Sequence, residues 1–174
     1  MTPSDLLDDL QRPWKHGEHL DGRGLVLNDP LVLDGLTIRG FDLSEAVLKG
    51  GLSARGTRFR GLAWLRHAKV DGLCDLTGAE FRIDLRADGM RAGDLVLDSC
   101  VFHGVLSLAG AELSKLSLKR ARIMANLTLE DARIGGAVQM PNAEVMGGFW
   151  TAGAKWGSLD QSDADIFGRI RLPD

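Results

Sequence analysis

From Leu48 onward, apolar residues recur at steps of five or six. Each is preceded two positions earlier by a small or a second apolar residue. One series follows Ala-x or a similar pair: Leu48, Phe59, Val70, Phe81, Phe102, Leu113, Ile123, Ile134, Val145, Trp156 and Ile166. A second series lies midway and follows Leu-x or Val-x: Leu97, Leu108, Leu118, Leu129 and Met140. Two steps span about eleven residues and four span 21 or 22, a spacing that neither the 3.6-residue helix nor a long alternating strand produces.

A pair such as Leu-x-Leu is a very short strand with both apolar side chains on one face. Gly, Ser, Lys, Arg and Asp between the pairs suit tight turns. Four strands and four turns per 21–22 residues close a coil, and successive coils stack through backbone hydrogen bonds about 4.8 Å apart. Every fourth apolar residue then falls in one column. One column reads Ile38, Phe59, Phe81, Phe102, Ile123, Val145, Ile166. The opposite one reads Leu48, Val70, Leu113, Ile134, Trp156, and a third reads Leu76, Leu97, Leu118, Met140. Small partners (Ala46, Thr57, Ala79, Cys100, Ala121) on two opposite sides alternate with large ones (Leu95, Leu106, Leu116, Leu127) on the others, which fills a narrow core without voids.

The runs "CDLTG", "AELSK", "LSLKR", "LTLED" and "ADIFGR" resemble the pentapeptide-repeat family, over residues 36–172. The resemblance implies an all-β fold: a right-handed parallel β-helix with four short strands per 21–22-residue coil. The family's central Asp or Asn is kept at Asp42, Asp75, Asp160 and Asp165. Elsewhere it is replaced by Glu80, Glu112, Glu144, Arg58, Arg122, Arg133, Lys69 or Lys155, and six-residue steps alternate with fives.

The ends read differently. "SDLLDDLQ" predicts a short helix with Ser4 as N-cap and Leu6, Leu7 and Leu10 on one face, followed by Trp14. Residues 1–23 are thus expected to cap a repeat domain spanning 24–174. Residues 82–92, "RIDLRADGMRA", lack good apolar anchors, and a bulge or loop is expected there. At the other end the repeat runs to Leu172 with no second lid-like segment.

Composition removes several functional classes. The net charge is −3, with 21 basic against 24 acidic residues, so no strong positive charge favours nucleic acid. No apolar run reaches a membrane span and no signal pattern opens the chain, so neither membrane nor nucleic acid is expected as partner. Two cysteines in no metal spacing fit a reducing, cytoplasmic setting.

Candidate chemistry is sparse. Hexapeptide acyltransferases are also parallel β-helices, but they need a continuous six-residue period around a reactive His, and the fives around His103 break it. His16 and His19 have no Cys or third His nearby in sequence. Cys74 and Cys100 fall at inward small positions and read as inert. No outward pair of carboxylates is placed for acid–base work. No enzyme activity, cofactor or metal is expected.

Binding remains. Met124, Met146 and Phe167 take equivalent turn positions in successive coils, with Trp150 outward beside them and Ile170 and Leu172 at the end of the repeat. A contiguous apolar stripe of this kind reads as an interface. A protein partner is expected, including a second copy of the chain in a homodimer through the C-terminal end. Arg39, Arg58, Arg60 and Arg82 form a second candidate group, facing anions. Some members of the resembled family mimic duplex DNA and bind type II topoisomerases such as gyrase. That alternative needs an acidic column, whereas residues 51–174 hold 15 acidic and 16 basic residues. The expected function is a non-enzymatic protein-interaction scaffold.

Overall fold

The computed structural model describes residues 1–171 and shows a parallel β-solenoid closed at its start by one short helix. The helix, Pro3–Leu10, is capped by Thr2 rather than by Ser4. The Asp5 amide donates to Thr2 Oγ1 at 3.2 Å, and the Thr2 amide donates to Asp5 Oδ2 at 2.9 Å. This reciprocal capping box satisfies two donors that a helix start leaves orphaned, and Pro3 supplies a first-turn residue with no amide to satisfy. Leu6 and Leu10 are fully buried, and Leu7 is packed partly against the same core.

Strands then follow in sets, and every pairing is parallel. The first coil begins at Leu20–Asp21, which pairs with Phe41–Asp42, within the stretch expected to cap the repeat. Its other sides are Val26–Leu27, Leu31–Val32 and Thr37–Ile38. We call these the first, second, third and fourth sides. The fourth side stacks seven strands from Thr37–Ile38 to Asp165–Ile166. Registers such as Phe59↔Phe81 and Phe81↔Phe102 confirm coils of 22 and 21 residues. The fourth-side column read from the sequence is a run of adjacent residues in these registers. The second-side column is one too, except that Ala92 stands between Val70 and Leu113, and nearly all the residues of the three columns are buried.

Two kinds of corner join the sides. From the first to the second side, and from the third to the fourth, a four-residue turn closes with an i+3 amide on an i carbonyl, as in Leu25 N to Gly22 O at 3.1 Å. The third residue of each turn has positive φ, as type II turns require. Glycine often takes it, but Glu45, His67, Ser99, Arg120, Asp131, Asn142 and Asp163 do so too, with φ of 54–62°. The remaining corners bridge with two or three residues.

This second kind of corner changes the cross-section part-way along the rod. In the early coils three residues separate the second and third sides, for example Asn28-Asp29-Pro30, where Pro30 has no amide to continue a ladder. From Arg91 on, strands run through that corner: Arg91–Val96, Glu112–Ser117, Arg133–Gln139 and Lys155–Asp160. Two residues bridge the corner in three of these, and Asp94 pairs directly with Lys115. Gly135-Gly136-Ala137 carries an extra residue, and the register shifts there. The coil therefore has four separate strands at first and three later, where the bridge stays in the ladder, with a register shift at the one bridge of three residues.

Residues 82–92 form no loop. Leu85–Arg86 pairs with neighbours on both sides, and Arg91 and Ala92 pair with Lys69 and Val70. What breaks the pattern is an exchange of volumes. Leu85 and Met90 stand where neighbouring coils have the residue before the anchor, and Ala87 and Ala92 stand at the anchors. Met90 is fully buried in the column of Ala68 and Ala111, while Ala92 lies in register between Val70 and Leu113. At Met90 and Ala92 the large and small members have changed places relative to both neighbouring coils, so the summed volume of that side is kept.

Candidate docking ridge

The corner from the fourth to the first side places one residue directly after each fourth-side anchor: Arg39, Arg60, Arg82, His103, Met124, Met146 and Phe167. From Arg60 onward, each donates its amide to the anchor carbonyl one coil earlier. The distances are 3.0 Å from Arg60 to Ile38, 3.0 Å from Arg82 to Phe59, 2.9 Å from Met124 to Phe102 and 2.9 Å from Phe167 to Val145. These bonds hold the residues in one column along the rod. Three of the four candidate arginines and three of the candidate interface residues are thus parts of a single ridge, charged in its first half and apolar in its last. A register count on the residue after each anchor reveals this; sorting residues by chemical type conceals it.

The apolar half is open. Met124, Met146 and Phe167 are 49%, 45% and 67% exposed. At about 4.8 Å per coil they extend over roughly 10 Å. Trp150 lies on the first side beside them, half-buried and in register with Thr128. Its indole crosses Gly148, where a Cβ would sit 2.8 Å from Nε1, so the ring occupies the space that a side chain at 148 would take. Ile170 stacks on the buried Phe149 and is itself exposed. Leu172 lies outside the described residues.

The charged half is tied to carboxylates. The Arg39 side chain is only 11% exposed. Its Nη2 meets Asp9 Oδ2 at 2.5 Å and its Nη1 lies 3.7 Å from Glu18. Its amide donates to Leu10 O at 3.0 Å, while its buried Nε has no partner among the described residues. Arg39 therefore fastens the N-terminal helix to the first coil. Arg58 is not on the ridge but on the outer face of the fourth side, 3.9 Å from Glu80. Glu80 also meets Arg82 at 2.9 Å and His103 at 3.2 Å. Arg60 is exposed. The same alternation of sign recurs farther along, in Arg122–Glu144 at 3.1 Å and Arg91–Glu112 at 3.4 Å.

Cys74 and Cys100 are buried, and desolvation pushes both thiols up to about 12, far from the thiolate that reactivity needs. Among the described residues no group of three His, Cys, Asp or Glu is placed to hold a metal ion. No helix among them is long and apolar enough to cross a membrane. No family model matches the chain, and no curated protein is significantly similar to it.

Proposed function

We propose that the protein is a non-enzymatic interaction module of the pentapeptide-repeat type, and that it docks a second copy of itself through the apolar half of the corner ridge. The observation that carries this reading is the exposed column Met124, Met146 and Phe167, held at one corner of three successive coils. An isolated exposed methionine has no significance, but a contiguous stripe of Met and aromatic residues is the composition of interfaces. Ile170, exposed on the last described coil, and Trp150 widen the stripe around the corner. Twofold pairing of this patch onto itself covers it and closes without growing into fibres.

The alternation of Arg58 with Glu80, Arg91 with Glu112 and Arg122 with Glu144 favours this reading over a mimic of DNA, which requires like charge along the rod. Sedimentation of the full chain at about tens of micromolar tests the proposal. The expected result is a dimer that the pair Met146→Glu and Phe167→Lys converts to a folded monomer. A monomeric unmodified protein, or a dimer that survives both charges, overturns it. In a supercoiling assay with a type II topoisomerase, no inhibition is expected; strong inhibition would restore the mimic.

A further inference from the structure

The segment after the helix lies against the first side and lines, with the corner residues that follow Arg60 and Arg82, a cavity of about 460 Å³ away from the apolar half of the ridge. This is the size range of small-molecule sites. Trp14 and Trp64 both line it, with Leu62 and Ile83 as aliphatic wall. His16 meets Trp14 edge-on at 6.2 Å, and the Arg66 guanidinium lies 4.3 Å over the Trp64 ring. Trp14 and Ile83 nevertheless remain exposed, at a position where covering them would be favourable.

We propose that this cavity binds a neutral sugar ring. The balance of charge decides the class. Arg66 and Arg86 face the cavity together with Glu18 and Asp84, two cations against two anions, with His16 and His19 as the other titratable residues of the lining. A strongly charged ligand would leave one sign unmatched in a partly enclosed space, at a desolvation cost. The polar groups also come as adjacent donors and acceptors. Arg86 holds Asp84 Oδ2 through Nε at 3.1 Å and Nη2 at 2.7 Å, and the second Asp84 oxygen accepts the Val105 amide at 2.8 Å. This pair is fixed to the scaffold, and the guanidinium hydrogens that Asp84 does not take lie beside the remaining lone pairs of its carboxylate, donors next to acceptors. A sugar hydroxyl both donates and accepts, and bridges such a pair with two bonds. The faces of a pyranose ring carry C–H groups, weakly positive, that rest on the negative face of an indole. A flat aromatic ligand would use the tryptophans and leave the polar rim unpaired. An anionic one would disturb the Arg86–Asp84 pair.

The test is tryptophan fluorescence and saturation-transfer NMR on the full chain. Glucose, galactose and N-acetylglucosamine are the neutral probes, with indole and glucose 6-phosphate as controls. At least one neutral sugar is expected to bind with a Kd of about 1 mM. Trp14→Ala and, independently, Arg86→Gln are each expected to weaken it by about tenfold or more while circular dichroism stays unchanged. Phe167→Lys on the ridge should leave sugar binding intact. The proposal is overturned by a lack of response to all three sugars, by tighter binding of indole or glucose 6-phosphate, or by full binding in folded Trp14→Ala and Arg86→Gln proteins.

Discussion

Phe81 and Phe102 lie in register on adjacent coils, with ring centroids 4.8 Å apart and planes inclined by 4°. Phe59 continues the stack at 4.6 Å and 9°, and Phe41 closes it edge-on at 5.4 Å. The centroid spacing follows the rise from coil to coil. The near-parallel planes make this a stacked arrangement, with the rings repeating at the spacing of the coils. The β-ladder and the aromatic ladder thus reinforce each other.

Phe102 packs between Phe81 and Ile123 and is fully buried. Phe102→Ala removes a ring from a column that cannot collapse, because the neighbouring strands are fixed by their own ladders. A loss of about 3–5 kcal/mol is expected in denaturant melts. Phe102→Leu should cost much less. A loss below about 1 kcal/mol for the alanine variant would show that the column closes over the gap.

Met90 and Ala92 yield a sharper test of the core. Met90→Ala alone should cost about 2–4 kcal/mol, since it places three small residues in succession. Ala92→Leu alone should crowd the coil and also destabilise. The double variant restores the small-then-large order of Ala68–Val70 and Ala111–Leu113 and is expected to recover most of the loss. Equal and additive costs in the double variant would mean that the two positions do not share one volume.

The columns were legible because their period belongs to the coil itself: any residue facing inward must recur every 21 or 22 positions. The exchange at Met90 and Ala92 was hidden because the expected order of sizes was read as the rule, whereas the summed volume is what the core fixes. The merged second and third sides were hidden for another reason. Whether a corner such as Gly93-Asp94 breaks or continues a ladder depends on backbone amides in the next coil, and no local composition encodes that. The cap had a local signal, Thr2-Pro3 with Asp5 three residues on, which outweighs Ser4. The Arg39–Asp9 pair and the walled cavity join residues of a non-repeating segment to the repeat, so periodicity could not reveal them.

Thr57 and Cys100 take the same slot two coils apart and make the same bond. Thr57 Oγ1 donates to Leu33 O at 2.8 Å, and Cys100 Sγ donates to Leu76 O at 2.9 Å. Cys100→Thr should therefore fold normally, with stability within about 1 kcal/mol of the unmodified chain. Thr57→Val, which keeps the shape and loses the donor, should cost about 1 kcal/mol. In the native protein neither thiol should react with a disulfide reagent at mildly alkaline pH until the chain unfolds. Rapid labelling of Cys100 in the folded protein would contradict its place in the core.

Asp34 clips one coil to the next. Its Oδ1 accepts the Ser53 hydroxyl at 2.6 Å and the Arg55 amide at 2.9 Å, and Asp98 repeats the arrangement with Ser117 at 2.5 Å and the Lys119 amide at 3.0 Å. The Ser53 hydroxyl, followed by the Arg55 amide, holds the Asp34 carboxyl below its ordinary value despite some opposing desolvation. The folded chain therefore binds fewer protons at Asp34 than the unfolded chain between that lowered value and about 4. Its contribution is full above the unfolded value and is lost as pH falls through the folded one. Asp34→Asn keeps an acceptor oxygen but cannot titrate. Its melting temperature should fall below that of the unmodified protein at about pH 6, and the gap should narrow at about pH 3 and below. Thermal melts across that range decide the matter: a gap constant with pH would show that Asp34 acts through geometry alone, with no contribution from its charge.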